Sequence, residues 1–359
     1  MSIDRRLLEQ VLAKFGGLHI AVVGDFFLDR YWEIDPDRDE PSLETGLTAY
    51  QVVGRRHSPG AAGTVAANLA ALGVGRIDAV GFVGDDGEAC ELERCLDKIG
   101  VLRDHLHRTP LRMTPCYSKP MRRGVEMNRI DIKNRTVTPE AVQERIIASV
   151  ETLADRVDAL IIMDQVSEEN CGVVTDGVRE CLIRLGRERR PQIMYADSRE
   201  RIGSFREMLI KCNDREALEQ FGQFGQFGQF GQFGLHDGPT IEQETLHHCG
   251  SELARRTGRL VFITRGARGQ LVFDPTTPEA KAICVPAVPV EGEIDICGAG
   301  DATSAALVGS LCAGALPEDA AMIGNLAASV TIRKIGQTGT ATPDEVLAAW
   351  DGISQQTRN

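Results

Sequence analysis

The feature that most restricts the fold of this chain is a regular alternation of short apolar runs with amphipathic stretches. Six runs have the length and β-branched content of buried strands: LHIAVVG, DAVGFVG, DALIIMD, QIMYADS, EMLIKC and LVFIT. Helical periodicity fills the intervals, for example over residues 64–72, 86–99 and 139–153. Strands that alternate with helices predict a mainly parallel sheet with helices on both faces. Ligands of such folds bind at the carboxyl ends of the strands.

Two segments interrupt this alternation. Residues 31–57 are polar, and residues 112–137 alternate between polar and apolar side chains. Both predict strands outside the main sheet, which we interpret as a small antiparallel β lid over the strand ends. Such a lid would exclude water from a site. The 359 residues suffice for one large domain or two smaller ones, and we interpret residues 1–359 as a single domain.

A low-complexity segment lies at residues 220–234, where the triplet QFG is repeated five times. A period of three matches neither an α-helix nor an alternating strand, and glycine at every third position opposes a helix. We interpret the segment as a surface insertion with no role in chemistry.

Charge and cysteine content restrict the partners and the compartment. The formal net charge is −12, which argues against nucleic acid and anionic membranes as partners but not against a phosphorylated substrate. The ten cysteines form no C-x-x-C pair and are typical of reduced, buried thiols. The first residues predict an amphipathic helix rather than a signal peptide, and no apolar run has membrane-spanning length. We expect a cytoplasmic protein.

The stretch DICGAGDATSAALVGSL, residues 295–311, places two glycines and an alanine directly before Asp301, ahead of a helix of small residues. The ordinary interpretation is a glycine turn with Asp301 as an N-cap. The alternative is an anion site, because glycines let backbone N–H groups approach a bound phosphate at a helix N-terminus. A carboxylate there would repel the phosphate unless it takes a proton from an attacking hydroxyl.

Three further motifs accompany this stretch. GDFFLD ends in Asp29 directly after the first predicted strand, and PGAAGTVAANLAALG covers residues 59–73. NDRE follows the EMLIKC strand, and TRGARG covers residues 264–269. Each motif alone is weak, but their order and spacing together are specific. The P-loop, H-E-x-x-H and G-x-S-x-G motifs are absent from the sequence.

With these motifs the chain resembles the ribokinase-like, or phosphofructokinase-B-type (PfkB-type), carbohydrate kinases from about residue 18 to residue 343. DICGAGD resembles the D-T-x-G-A-G-D signature of that family, and PGAAGTVAANLAALG resembles its glycine-rich signature. The resemblance implies a three-layer α/β/α sandwich and phosphoryl transfer from ATP, with Mg²⁺, to a sugar or sugar phosphate. GDFFLDRYW, PGAAGTVAAN and KIGQTGTATPDEV are most similar to bacterial heptose-7-phosphate kinases of lipopolysaccharide-precursor synthesis.

The resemblance also implies a role for particular residues. The implied catalytic groups are the carboxylate of Asp301, as the base, and the backbone amides of Gly298, Ala299 and Gly300. The implied sugar-binding residues are Asp29, Gly60 and Asn68. The implied nucleotide-binding residues are Asn213, Thr264, Gly266 and Gly269, and the implied Mg²⁺ ligand, acting through water, is Glu216.

The chain departs from the family pattern at several positions. Ala61 replaces the second glycine of a pair, and Thr64 stands where an asparagine commonly contacts the sugar. Ile296 replaces a threonine, which weakens the expectation of a monovalent-cation site nearby. DQVSEENCG lacks the lysine-glycine turn typical of heptose kinases. These departures bear on the substrate more than on the reaction.

Three functions stay open from the sequence. The first is a heptose-7-phosphate kinase or a similar enzyme, the second is a fructokinase or another sugar or nucleoside kinase, and the third is a catalytically silent regulator that binds sugar or nucleotide. Arg122, Arg123 and Arg129 could hold a substrate phosphate or could belong to a solvated lid strand. Lids of this family pair between subunits in some members, which makes a homodimer one expectation.

Overall fold

A computed structural model describes residues 3–188, 193–220, 243–276 and 282–356. The strands, in chain order, are β1 (His19–Gly24), β2 (Phe26–Ile34), β3 (Glu40–Pro41), β4 (Thr48–Ala49), β5 (Val52–Ala61), β6 (Arg76–Gly84), β7 (Leu102–Thr109), β8 (Cys116–Arg122), β9 (Val125–Glu126), β10 (Ile130–Ile132), β11 (Ala159–Asp164), β12 (Ile193–Ser198), β13 (Leu209–Asn213), β14 (Val261–Thr264), β15 (Gln270–Phe273) and β16 (Ile283–Val285). The helices are α1 (Arg5–Ala13), α2 (Ala62–Ala71), α3 (Gly87–Lys98), α4 (Glu140–Ala154), α5 (Asp176–Glu188), α6 (Asp214–Glu219), α7 (Gln243–Thr257), α8 (Ala299–Cys312), α9 (Pro317–Thr331) and α10 (Pro343–Gln356).

The main sheet has nine strands in the order β16-β15-β14-β13-β12-β11-β1-β6-β7. The seven strands from β14 to β7 in this order are parallel to their neighbours, and only β15 and β16 run antiparallel. The six apolar runs form β1, β6, β11, β12, β13 and β14. The predicted mainly parallel sheet is therefore confirmed.

Helices cover both faces of this sheet. One apolar cluster joins it to buried residues of α1, α2, α3, α8, α9 and α10. A second cluster joins its other face to buried residues of α4, α5 and α7. The prediction of a three-layer α/β/α sandwich is confirmed, because parallel strands with apolar side chains on both faces need a helical layer on each side.

A second, smaller sheet has the order β10-β8-β2-β5, with β9 paired to β8. The expectation of an antiparallel lid is wrong for one pairing, because β2 and β8 are parallel. The reason is their origin: β2 follows β1 and β8 follows β7, and both leave the carboxyl edge of the main sheet in the same direction. This sheet also begins earlier than residue 31, at Phe26, so that Asp29 lies within it.

The small residues of α8 allow it to pack closely against its neighbours. A Cβ atom on Gly309 would lie 2.6 Å from Cε2 of Phe15. On the facing helix α9, a Cβ atom on Gly324 would lie 3.1 Å from Cγ2 of Thr303. The run of alanine, glycine and serine after Asp301 therefore serves packing.

Three further expectations concern the thiols, the repeat and the membrane. All ten cysteines are free, but Cys284 and Cys297 are exposed rather than buried. The QFG triplets from Phe221 onward lie outside the described residues. Within the described ranges, no helix combines the length and the apolar character needed to cross a membrane.

Candidate active site

The glycine-rich loop before Asp301 leads into the N-terminus of α8. Gly298 is the N-cap and has a left-handed backbone with φ of 80°, where a Cβ atom would lie 2.8 Å from Cγ2 of Thr338. The Ala299 amide donates to the carbonyl three residues earlier, at 3.2 Å. Among the described residues, the backbone amides of Gly298, Gly300 and Asp301 have no hydrogen-bond acceptor. These amides and the positive end of the helix can therefore hold an anion.

A buried ion pair lies next to this loop. Nζ of Lys211 is 2.8 Å from Oδ2 of Asp197, and both side chains are at most one-tenth exposed. The two residues face each other across β12 and β13. A Cβ atom on Gly300 would lie 3.7 Å from Nζ of Lys211, and Ser304 of α8 donates a 3.3 Å hydrogen bond to Asp197. The pair therefore connects two central strands to the first turns of α8.

The carboxyl of Asp301 has an unusual environment. Its pKa is raised to about 7, first by burial and next by the neighbouring charge of Asp197. Lys211 and Arg199 oppose this shift, while Asp29 adds to it. A carboxyl that titrates near neutral pH is suited to accepting a proton from a hydroxyl.

Glu216 faces the same ion pair from α6. Asn213 and Glu216 form a capping box, in which Asn213 Oδ1 accepts from the Glu216 amide and Glu216 Oε2 accepts from the Asn213 amide, both at 2.8 Å. Burial, with Asp197 adding and Lys211 opposing, raises the pKa of Glu216 to about 7. NDRE thus forms the start of α6. It also places the Glu216 carboxylate near Asp197 and Lys211, the charged residues that surround Asp301.

The TRGARG loop lies beside Asn213. Thr264 pairs with Asn213 across β13 and β14, and its hydroxyl donates to the carbonyl of Cys212 at 3.3 Å. Gly269 has φ of 76°, and a Cβ atom there would overlap the carbonyl oxygen of Val285. Gly266 also has a positive φ, of 54°. The loop is therefore a tight turn at the same edge of the sheet as α6.

Asp29 lies in β2, on the small sheet. Its Oδ1 is 3.6 Å from Nζ of the buried Lys119, and a Cβ atom on Gly60 would lie 3.0 Å from its Oδ2. Burial raises the pKa of Asp29, and Lys119 opposes this shift. The carboxylate also acts on the pKa of Asp301, so the structure brings the two acids into one electrostatic environment.

Asn68 has a different setting from Asp29 and Gly60. Its side chain is fully buried in α2, where the amide donates to the Thr64 carbonyl at 3.0 Å. Within the described part of the chain, its Oδ1 has no hydrogen-bond donor. Its place at a sugar site stays a prediction.

An open cavity lies between the small sheet and the ends of β1 and β11, and its space together with the adjoining solvent is about 410 Å³. Its lining includes Tyr117, Lys133, Asn134, Gln165 and Arg199. The Arg129 guanidinium lies 4.3 Å from the Tyr117 ring centre, and Arg199 donates to Gln165 Oε1 at 2.9 Å. Arg199, which lines the cavity, also acts on the pKa of Asp301. Asp29, Gly60 and Asp301 themselves are not among the residues that line it.

The three lid arginines named from the sequence separate in the structure. Arg122 and Arg123 pair with Asp39 and Asp37 at 3.3 and 3.5 Å, and the side chain of Arg123 is 75% exposed. Both therefore belong to a solvated face. Arg129 also pairs with a carboxylate, that of Asp131 at 2.7 Å, but of the three arginines it alone lies over Tyr117 at the edge of the cavity.

Sequence reasoning missed four charged residues at this site, which are Lys119, Asp197, Arg199 and Lys211. Two of them could have been found. Lys211 is a charged residue inside the apolar run EMLIKC, and Asp197 comes near the end of QIMYADS. A charge in a buried strand needs a partner, and the carboxyl end of a strand is where ligands bind.

Residues 19–344 match the family described as pfkB family carbohydrate kinase. The chain belongs to this family. It is therefore a carbohydrate kinase, and the motifs at Asp29, Gly60 and Asp301 lie within the matched range.

Two relatives of this pfkB-family kinase carry the same name, Bifunctional protein HldE. The chain is 31% identical to that of Caulobacter sp. (strain K31) over 350 residues, which are 96% of this chain and 66% of the relative. It is 27% identical to that of Methylococcus capsulatus over 343 residues, which are 95% of this chain and 66% of the relative. The chain thus spans just under two thirds of the length of these relatives.

Solved structures confirm the ribokinase-like fold of this pfkB-family kinase. Phosphofructokinase-2 from Escherichia coli, in complex with substrates and products, matches with a TM-score of 0.69 and 16% identity, covering 94% of this chain and 99% of the other. Ribokinase from Thermotoga maritima matches with a TM-score of 0.64 and 19% identity, covering 93% and 99%.

Proposed function

We propose that this chain transfers the γ-phosphoryl group of ATP to a hydroxyl of a sugar phosphate, with Asp301 as the base. The observation that carries the proposal is the position of Asp301. Its carboxyl adjoins the unbonded amides at the start of α8, and its pKa is raised to about 7. One site therefore offers an anion hole and a proton acceptor.

In the proposed reaction, the acceptor hydroxyl gives its proton to Asp301 while its oxygen attacks the γ-phosphorus. The bond from that phosphorus to the bridging oxygen breaks, and the bridging oxygen leaves with ADP. The amides of Gly298 and Gly300 donate to the oxygens of the transferring group. Phosphoryl transfer depends mainly on positioning and on charge neutralisation, which this arrangement supplies.

The nucleotide would lie between α6 and the TRGARG loop. Asn213, Thr264, Gly266 and Gly269 meet at that edge of the sheet, and Glu216 would hold Mg²⁺ through water. A bound Mg²⁺ neutralises charge on the phosphates. No cluster of three acidic, histidine or cysteine ligands occurs in the described ranges, which fits an ion held by few protein ligands. Ile296 offers no side-chain oxygen, and we propose no monovalent cation.

The proposed acceptor is a sugar phosphate because of the charges around the cavity. Lys133 and Arg199 line it, and Arg129 lies over Tyr117 at its edge. Cations of this kind hold phosphate oxygens. Asp29 would accept hydrogen bonds from the sugar hydroxyls, with Gly60 leaving room beside it. A heptose 7-phosphate is the first candidate, because of the motif resemblance to heptose kinases.

The direct test is ADP formation with a panel of acceptors. We expect a heptose 7-phosphate or another sugar phosphate to be phosphorylated faster than fructose or nucleosides. Preference for an uncharged sugar would favour a fructokinase-like or nucleoside kinase function instead. ADP formation with no acceptor in the panel, together with sugar or nucleotide binding, would favour a silent regulator.

Matched variants test the phosphate-binding part of the proposal. Lys133→Gln and Arg199→Gln should raise KM for the sugar phosphate by about tenfold or more, because each removes a charge-assisted contact. Arg123→Gln is the control, since that arginine is exposed and pairs outside the cavity. An equal effect of all three variants would contradict the assignment.

We also propose a cytoplasmic homodimer. The ten free cysteines are typical of a reducing compartment. β5 is an edge strand of the small sheet, and Val52 and Val53 at its start are about half exposed. An unpaired edge with apolar side chains is a surface on which a second copy can pair. Sedimentation of the chain beside a Val53→Lys variant would test this, with a monomeric wild type as the contrary result.

A further inference from the structure

One wall of the cavity is a loop of nine residues, 165–173, which we call the wall loop. It directly follows β11 and contains most of the DQVSEENCG stretch, in which the chain departs from heptose kinases. Gln165, Val166, Ser167, Glu168, Cys171 and Gly172 all line the cavity. The shape of the acceptor site therefore depends on how this loop is held.

A single buried carboxylate binds both ends of the wall loop. Asp25, directly after β1, is 3% exposed. Its Oδ1 accepts from the amide of Val173 at 2.7 Å, and its Oδ2 accepts from the amide of Gln165 at 3.1 Å. A Cβ atom on Gly172 would lie 2.7 Å from the same Oδ1, so the loop backbone lies directly on the carboxylate.

Two arginines hold the carbonyl groups of the same loop. Arg201 donates to the carbonyls of Ser167, at 2.9 Å, and of Val166. Arg112 donates to the carbonyl of Cys171. The hydroxyl of Thr138 donates to the carbonyl of Gly172 at 2.7 Å. Side chains from four separate parts of the chain thus hold the loop, but among the described residues only Asp25 accepts from the amides at both of its ends.

We propose that Asp25 is a positioning residue for the acceptor cavity, whose ionised carboxylate holds both ends of the wall loop in place. The expected effect on acceptor KM rests on the proposed function. The anchoring of the wall loop by Asp25 does not. Asp25 contacts the loop backbone, and the contacts described for it do not include the α8 loop or the capping box. Its loss should therefore affect acceptor binding and spare the nucleotide side.

The charge of Asp25 makes this anchoring sensitive to pH. Burial raises the pKa of Asp25 to about 6, Asp164 adds to the shift, and the amide hydrogen bonds oppose it. Arg112 and Arg201 are the cations that face the carboxylate. Because the amides favour the ionised form, protonation weakens these hydrogen bonds. The wall loop should loosen as the pH falls through 6.

Hydrogen exchange tests the anchoring without any substrate. Asp25→Asn keeps one acceptor oxygen but places an NH₂ group against a backbone donor. At pH 8, protection factors of the amides in residues 165–173 should fall at least about tenfold in this variant. The wild type should show a similar loss between pH 8 and pH 5, and the variant should show no further loss. If the variant does not fold, the comparison of wild-type protection factors at pH 8 and pH 5 tests the anchoring on its own.

Asp78→Asn is the matched control. Asp78 is also a buried carboxylate, 1% exposed, but it lies near the start of β6 and pairs with His19 at 2.6 Å. This variant should leave protection of the wall loop unchanged. Unchanged protection in Asp25→Asn, an equal loss in Asp78→Asn, or a wild-type loop that does not respond to pH would overturn the proposal.

Kinetics at pH 8 test the consequence for the reaction. Asp25→Asn should raise KM for the acceptor about tenfold, with kcat and KM for ATP within roughly threefold of wild type. Equal losses in acceptor and ATP parameters would overturn the positioning role. A different outcome is that the wall loop loosens as expected but the chain phosphorylates no acceptor. That result would contradict the proposed function and would still support the anchoring by Asp25.

Discussion

Lys211 and Asp197 form an ion pair of 2.8 Å between two central strands, beside the loop that precedes Asp301. The pair acts in the same way on two carboxyls, those of the proposed base Asp301 and of the proposed Mg²⁺ ligand Glu216. Asp197 raises the pKa values of Asp301 and Glu216, and Lys211 lowers them. The ion pair therefore sets the charge of the site without belonging to any of the family motifs.

Lys211→Met should move the acid limb of the kcat/KM profile to higher pH. The variant removes a cation that lowers the pKa of Asp301, so more of the base is protonated at neutral pH. It also leaves Asp197 buried without its partner, which costs on the order of 3–5 kcal/mol of stability. Rate profiles from pH 5.5 to 9 and urea unfolding would measure the two effects.

The double variant Lys211→Met/Asp197→Asn is the control for this prediction. It removes two charges of opposite effect, so its acid limb should return toward that of the wild type. An acid limb that stays displaced in the double variant would show that the single variant acts through misfolding.

Asp301→Asn should abolish turnover while ATP binding survives. Loss of a general base typically lowers kcat by ~10²–10⁴-fold. Steady-state rates and a titration with labelled ATP would measure the two properties. Turnover within a few-fold of wild type would remove Asp301 from the mechanism.

The pH dependence of kcat/KM in the wild type should report the ionisation of the Asp301 carboxyl. Because only the ionised carboxyl accepts a proton, kcat/KM should fall tenfold per pH unit below about pH 7.

Since the folded state raises the pKa of Asp301, the folded chain binds the proton more tightly than the unfolded chain does. Ionising Asp301 therefore lowers stability between about pH 4 and 7. The unfolding free energy of Asp301→Asn, relative to wild type, should accordingly rise over that range.

Glu216→Gln should weaken the response to Mg²⁺ more than it weakens sugar binding. Glutamine can still accept from the Asn213 amide, so the variant removes the charge and keeps the helix start. Mg²⁺ activation curves at saturating acceptor measure the effect. Asp214→Asn, in the first turn of the same helix, is the control. An unchanged activation curve would mean that NDRE serves only as a capping box.

Ala61→Gly should stabilise the fold. Ala61 has φ of 52° and ψ of −119°, a region that suits glycine, and the chain has alanine where the family has a second glycine. Relief of such strain is worth on the order of 1 kcal/mol. Chemical denaturation measures it, with Ala66→Gly inside α2 as a control that should destabilise. A loss of stability in Ala61→Gly would show that the alanine is not strained.

Much of the fold could be predicted from the sequence because its rules are local. Six apolar runs became six strands of the main sheet, and the helical periodicities became α2, α3 and α4 with ends shifted by one or two residues. The glycines before Asp301 and the Asn213–Glu216 spacing also act locally, as a left-handed cap and a capping box.

Contacts between distant residues could not be predicted in this way. The parallel β2–β8 pairing, the exposure of Cys297 and the outward pairing of Arg122 and Arg123 depend on how separate segments meet. The same holds for Asp25, whose neighbours in sequence give no sign of the loop that it binds 140 and 148 residues away.

The sequence by itself determined the local features of the candidate site: the glycine-rich loop, the carboxylate at the helix start, and the alternation of strands with helices along the chain. Only the tertiary structure decided the charge environment of that site, through Lys211, Asp197 and Arg199. The physical reason is that helix and strand patterns follow from neighbours a few residues apart. Burial and Coulomb interactions depend on distances in space, which the chain acquires only when its strands assemble into one sheet.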